Sequence, residues 1–129
     1  MKITASAVSL NVADVGASAG FLKEHFGFTE KMAAEGFVSL GRDDVGFNVI
    51  FLASSLASFK PEHMRGHRAD GLLLAFVVDD IDVQYARIQA EGVAIVTPIE
   101  TEEWGERYFQ VADPNGVIIQ LVQWMKMDE

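Results

Sequence analysis

The chain has 129 residues, enough for one domain with a core of its own and too few for two ordinary ones. Half of it is hydrophobic and three residues are proline, which argues against long disorder, and the absence of cysteine removes disulfides, thiolate catalysis and cysteine-ligated metal centres. A formal charge of -9 repels phosphate backbones and anionic lipid, so neither nucleic acid nor membrane is expected as a partner, whereas the same field keeps a protein soluble and can draw in a cationic ligand.

The opening MKITASAVSLNVADVG carries one lysine and no long apolar stretch, and no later run nears the length of a bilayer span, so a cytoplasmic location is expected. Ser6 to Ala13 alternates, with Val8, Leu10 and Val12 on one side and Ala7, Ser9 and Asn11 on the other, which predicts a half-buried strand. Asp14 then stands as an N-cap, Val15, Phe21, Leu22 and Phe26 fall at helical spacing, and Gly27 can end the helix. Shorter strand-like runs follow at Glu30 to Ala34, Phe37 to Leu40 and Gly46 to Leu52.

The order then repeats. Leu72 to Val78 is a β-compatible run, Asp80 caps a second helix striped by Ile81, Tyr85 and Ile88 and closed by Gly92, and strands are predicted at Val93 to Thr97, Arg107 to Val111 and Val117 to Trp124. The two capping aspartates lie 66 positions apart. Each half therefore reads β-α-β-β-β, and the expected organisation is one domain built from two repeats, about 1–54 and 71–126, joined by a loop over 55–70 with Pro61 and Gly66 and room for a short helical turn.

Three stretches carry a family resemblance: VSLNVADVGASAGFLKEHFGF, FVVDDIDVQYARIQAEGV and EEWGERYFQVADPNGVIIQLVQW. The turn Asp113-Pro114-Asn115-Gly116 is weak by itself, since its residues simply suit a tight connection, but joined to Trp104-Gly105 and the alternating strand after it the signal is specific. Together they resemble the glyoxalase/bleomycin-resistance/dioxygenase proteins of the vicinal-oxygen-chelate superfamily, over nearly the whole chain. The resemblance implies an α+β fold in which two βαβββ modules form a cupped mixed sheet, commonly in a homodimer.

In the enzymes of that family each half supplies two ligands to a divalent metal, one from its first strand and one from its last. The corresponding positions here are Ala7, Phe51, Leu73 and Gln120, with the Phe51 register the least sure; the surrounding strand GFNVIFL has no His, Asp or Glu in any register. A zinc-, iron- or nickel-like ion needs at least two or three imidazole or carboxylate donors, so no metal and no cofactor is expected. The closest implied match is the metal-free antibiotic-binding resistance proteins.

The same parity makes Ala7, Ser9 and Asn11, Phe47, Val49 and Phe51, Leu73, Ala75 and Val77, and Ile118, Gln120, Val122 and Trp124 the inward-facing set. Such a lining suits a flat aromatic ligand, although ordinary core residues can also meet and fill the interior. Trp104 is the residue that related binders place against the ligand, with a dimer interface or a barrel plug as its other role; Arg107 and Tyr108 can reach polar ligand groups or a partner chain, and Phe37 can add an aromatic wall. Glu100, Glu102 and Glu103 form an acidic loop beside Trp104. His63 and His67, four apart and next to Glu62, would share a face only if the connector were helical, and Gly66 opposes that. His25 sits where a helix dipole favours a cation.

The expected function is thus capture of a small organic molecule, aromatic or cationic and antibiotic-like, in a cleft between two chains of a homodimer, by Ser9, Asn11, Phe37, Phe47, Phe51, Leu73, Trp104, Arg107, Tyr108, Gln120 and Trp124, with no catalytic residue. The alternative is a lyase, isomerase or dioxygenase of the same fold with an unusual metal site or none.

Overall fold

A computed structural model describes residues 1–68 and 70–125. Ala69 in the connector and the expected end of the second repeat near 126 lie outside the described residues. The chain divides after Asp70 into two compact units.

The first unit runs β1 (Ala7–Val12), α1 (Val15–Phe26), β2 (Thr29–Ala34), β3 (Phe37–Gly41) and β4 (Asn48–Ala53). Its strands lie in the order β1-β4-β3-β2, with β1 parallel to β4 and the other pairs antiparallel. Helix α1 begins because the Asp14 carboxylate accepts from the Ala17 N–H at 3.1 Å, and it stops because Gly27 takes the left-handed conformation, φ 67°, and turns its N–H back to Leu22. Arg42, from the loop after β3, donates to the Phe26 carbonyl, so the last turn is closed by a cation.

The second unit repeats the plan with β5 (Leu73–Val77), α2 (Ile81–Ala90), β6 (Ile95–Thr101), β7 (Glu106–Ala112) and β8 (Ile118–Trp124), in the order β5-β8-β7-β6. Asp80 caps α2 by accepting from Val83. Gln123 of β8 adds a clamp, its oxygen accepting the Ile81 N–H at 3.0 Å and its nitrogen donating to the Asp79 carbonyl at 2.8 Å, so the start of α2 is tied to the sheet beneath it. Asp113 organises the turn into β8: its carboxylate accepts from Asn115 and Val117 at 2.8 and 2.9 Å while Gly116 takes φ 84°. The α+β fold with two βαβββ modules is therefore present, as two four-stranded mixed sheets each carrying one helix.

Strand register sorts the residues between faces. Helix α1 lies across β2, β3 and β4, and the face beneath it holds Leu10, Val12, Leu40, Val49 and Phe51, all buried. The opposite face carries Ser9, Asn11, Phe37, Ser39, Asn48, Ile50 and Leu52. In the second unit, Tyr85 of α2 meets Phe109 edge-on at 4.9 Å, which identifies Phe109, Leu121 and Phe76 as the helix face and Gln110, Gln120 and Ala75 as the other.

This corrects one expectation. Val49 and Phe51 do not face inward with Ser9; Phe51 is 1 % exposed and lies under α1, and Phe47 precedes the strand, half-buried. The physical reason is that β4, NVIFLA, is apolar on both faces, so no alternation marks its parity, and an error of one residue exchanges the faces.

Among its described residues the connector contains one short 3-10 turn, Glu62–Met64, and Gly66 has φ 86°, so His63 and His67 do not share a helical face; both are exposed. Among the described residues no helix is long and apolar enough to cross a membrane.

Candidate functional site

The face of the second sheet turned away from α2 carries a continuous row of polar side chains. It starts on β6, where the Thr97 hydroxyl donates to Gln110 Oε1 at 2.7 Å. Gln110 Nε2 donates to Gln120 Oε1 at 2.8 Å, and Gln120 Nε2 donates to Glu106 Oε2 at 3.2 Å. The other carboxylate oxygen, Oε1, accepts from the indole N–H of Trp104, also at 3.2 Å. Gln110 and Gln120 are direct cross-strand neighbours on β7 and β8, whereas Glu106 stands opposite Trp124 and meets Gln120 through its extended side chain.

Beside this row, Tyr108 points its hydroxyl at Glu100 Oε1 (2.8 Å) and Glu102 Oε1 (3.1 Å). Donation to these two carboxylates, Glu100 first, together with partial burial, raises the phenol well above its ordinary value of 10.0, so it stays a neutral donor across the physiological range. Apolar surface completes the face: Leu73 and Val77 on β5 are exposed, Trp104 is 62 % exposed and Trp124 is 56 % exposed. Two large indoles left this open next to an ordered polar row are what a ligand surface requires, since rings supply contact area and a few fixed polar groups supply orientation.

Of the residues singled out from sequence, Trp104, Tyr108, Leu73, Gln120 and Trp124 are brought together here. Ser9, Asn11 and Phe37 share the corresponding face of the first sheet. Arg107 does not join either group. It alternates to the helix face, where Nη2 and Nε hold the two oxygens of Asp82 at 2.7 and 3.3 Å and Nη1 donates to Thr101 at 2.8 Å, binding β7 to the start of α2. Its side chain engages this fork on the helix face rather than joining Tyr108, because adjacent residues of a strand face opposite ways.

Sequence reading passed over Thr97, Gln110 and Glu106. Gln110 and Glu106 could have been found by counting forward and back from Tyr108 in twos, but Thr97 sits beyond a register shift in the β6–β7 pairing, and no local pattern shows that.

The sequence pattern of the Glyoxalase/Bleomycin resistance protein/Dioxygenase superfamily matches residues 4–121. The chain belongs to this superfamily. A member from Nocardioides superposes with a TM-score of 0.81 over 100% of this chain and 88% of its own, at 18% identity, and lactoylglutathione lyase from Agrobacterium tumefaciens with 0.73 over 95% and 94%, at 19% identity. At these identities the likeness concerns the fold alone. An uncharacterized protein of Mycobacterium bovis is 40% identical over 55 residues, covering 40% of this chain and 36% of the relative, so the match takes in about a third of that curated protein.

Whether this superfamily member could hold the divalent ion of its enzymatic relatives turns on donor chemistry. In the second unit Gln120 pairs with Ala75, and the equivalent pairing in the first unit is Ile50 with Ser9, so Ile50 rather than Phe51 occupies the last-strand position. The four positions then hold Ala7, Ile50, Leu73 and Gln120, of which only the amide has a donor atom, and its oxygen already accepts from Gln110. Among the described residues no group of three His, Asp or Glu side chains could bind a metal. The residues present do not fit the group.

Proposed function

We propose that this superfamily member is a metal-free binding protein that captures a small planar aromatic molecule, of the antibiotic kind and with cationic character, acting as a cytoplasmic homodimer without breaking a bond in its ligand. The observation that carries this reading is the pairing of Trp104 and Trp124, both more than half exposed, with a hydrogen-bonded polar row at the place where enzymatic relatives would need metal donors. The acidic side chains Glu100 and Glu102 and the formal charge of -9 favour a ligand bearing positive charge.

Intrinsic tryptophan fluorescence, titrated with a panel of planar aromatic cations and antibiotics, tests this directly. At least one compound should bind in the micromolar range, and Trp104→Ala should weaken it by ten-fold or more, the scale on which a central aromatic anchor acts. A silent panel, or undiminished affinity in the variant, counts against capture at this face. Stoichiometric zinc, iron, nickel or manganese in untreated protein would instead favour an enzyme with an atypical metal site.

A further inference from the structure

The polar row has a direction, and the direction comes from Glu106. A carboxylate accepts and never donates, so Gln120 must turn its NH2 toward Glu106 and its carbonyl toward Gln110. Gln110 must then offer its NH2 to Gln120, which leaves its own carbonyl for the Thr97 hydroxyl. The reversed order would bring Gln120 Oε1 against Glu106 Oε2 at 3.2 Å, two acceptors with no proton between them.

The accounting of protons is uneven. Both oxygens of Glu106 and the oxygens of Gln110 and Gln120 each receive a hydrogen bond, while each amide spends one N–H of two on a neighbour among the described residues. A carbonyl with one partner tolerates being covered, but an N–H covered without an acceptor loses its hydrogen bond outright. A ligand that lies over this row, with the two indoles at its Glu106 end, is therefore required to bring acceptors, and is not required to bring donors.

We infer that Gln110 and Gln120 are specificity-determining residues that select a planar ligand carrying a ring carbonyl, and that Glu106 is the positioning residue that sets their direction. This rests on the capture reading above. Gln110 and Gln120 are direct cross-strand partners on one face, so a ring system carrying acceptor oxygens, as in a quinone, can meet both amides.

A matched pair of tricyclic probes separates the possibilities: fluorenone presents a carbonyl where carbazole, of nearly the same shape, presents an N–H. Tryptophan quenching should show fluorenone bound roughly ten-fold more tightly, and Gln110→Met should bring the ratio toward one by weakening fluorenone alone. Equal binding of both probes to the native chain, or an unchanged ratio in Gln110→Met, would overturn the selection. If neither probe binds, the selection of a ring carbonyl is overturned, while the capture reading stands or falls on the panel of aromatic cations and antibiotics. The direction of the row has its own readout, the side-chain amide resonances in a nitrogen–proton correlation spectrum. Glu106→Gln, which removes the acceptor-only end, should shift the signals of both Gln120 and Gln110, while Glu106→Asp should restore part of the native pattern. A shift confined to Gln120 would refute the relay.

Discussion

Asp113 shows how much one side chain can determine. It is buried, 5 % exposed, and its carboxylate accepts two backbone N–H groups that the turn into β8 would otherwise leave unmatched. Hydrogen bonds to a charged group contribute about 1.5–3 kcal/mol each, and a buried N–H without an acceptor costs a comparable amount. Asp113→Ala should therefore destabilise the fold by roughly 2–4 kcal/mol, seen as a lower urea midpoint with an unchanged slope. An effect below about 0.5 kcal/mol would mean that water replaces the carboxylate at this turn. The turn was readable from the order Asp-Pro-Asn-Gly, because each residue type there answers a local backbone demand. The neighbouring amide row was not, because Gln110, Gln120 and Glu106 become partners only through strand pairing.

At the level of elements, both helices were legible and two strands were misread, β4 in its parity and β6 in its extent. Each helix announces itself with an aspartate whose carboxylate satisfies an early N–H, and with a periodic apolar stripe; Leu22 and Ile88, both fully buried, are the centres of those stripes. Strand β6 was expected at Val93 to Thr97 and instead runs Ile95–Thr101, since Pro98 and two register shifts obscure its alternation. The seating of α2 on its sheet depends on Gln123 and on the Arg107–Asp82 fork, which no helical pattern could reveal. That fork gives a pH signature. The guanidinium of Arg107 donates to Asp82 and holds its carboxyl below the ordinary value of 3.8. Because the folded-state value is the lower one, the stabilisation is complete above the ordinary carboxylate range and is lost as pH falls through and below it. Asp82→Asn should accordingly lower stability near neutral pH more than at pH 3, by a small margin for so exposed a pair, and added salt should shrink the margin further. Thermal melts of the two proteins at both pH values provide the check, and an equal loss at pH 3 would show that the effect does not depend on the charge of Asp82.

For the molecule as a whole, the excess of acid governs what it can meet. A planar cation captured at the proposed face should raise the melting temperature in proportion to the logarithm of its concentration above Kd, and its affinity should weaken between about 50 and 500 mM salt as the field is screened. Differential scanning fluorimetry across that range measures both, and a salt-independent shift would point to a neutral ligand held by stacking and hydrogen bonds alone. What the amino-acid order determined by itself was everything local or periodic: the two capped helices, the doubled βαβββ plan, the Asp113 turn, and the lack of imidazole and carboxylate at the strand positions where metal ligands would stand. Pairing across the sheets decided the rest. Register moved Phe51 beneath α1, sent Arg107 to Asp82, and aligned Thr97, Gln110, Gln120 and Glu106 into one directed row, because which side chains become neighbours in a sheet depends on how separate strands align and not on the residues adjacent in the chain.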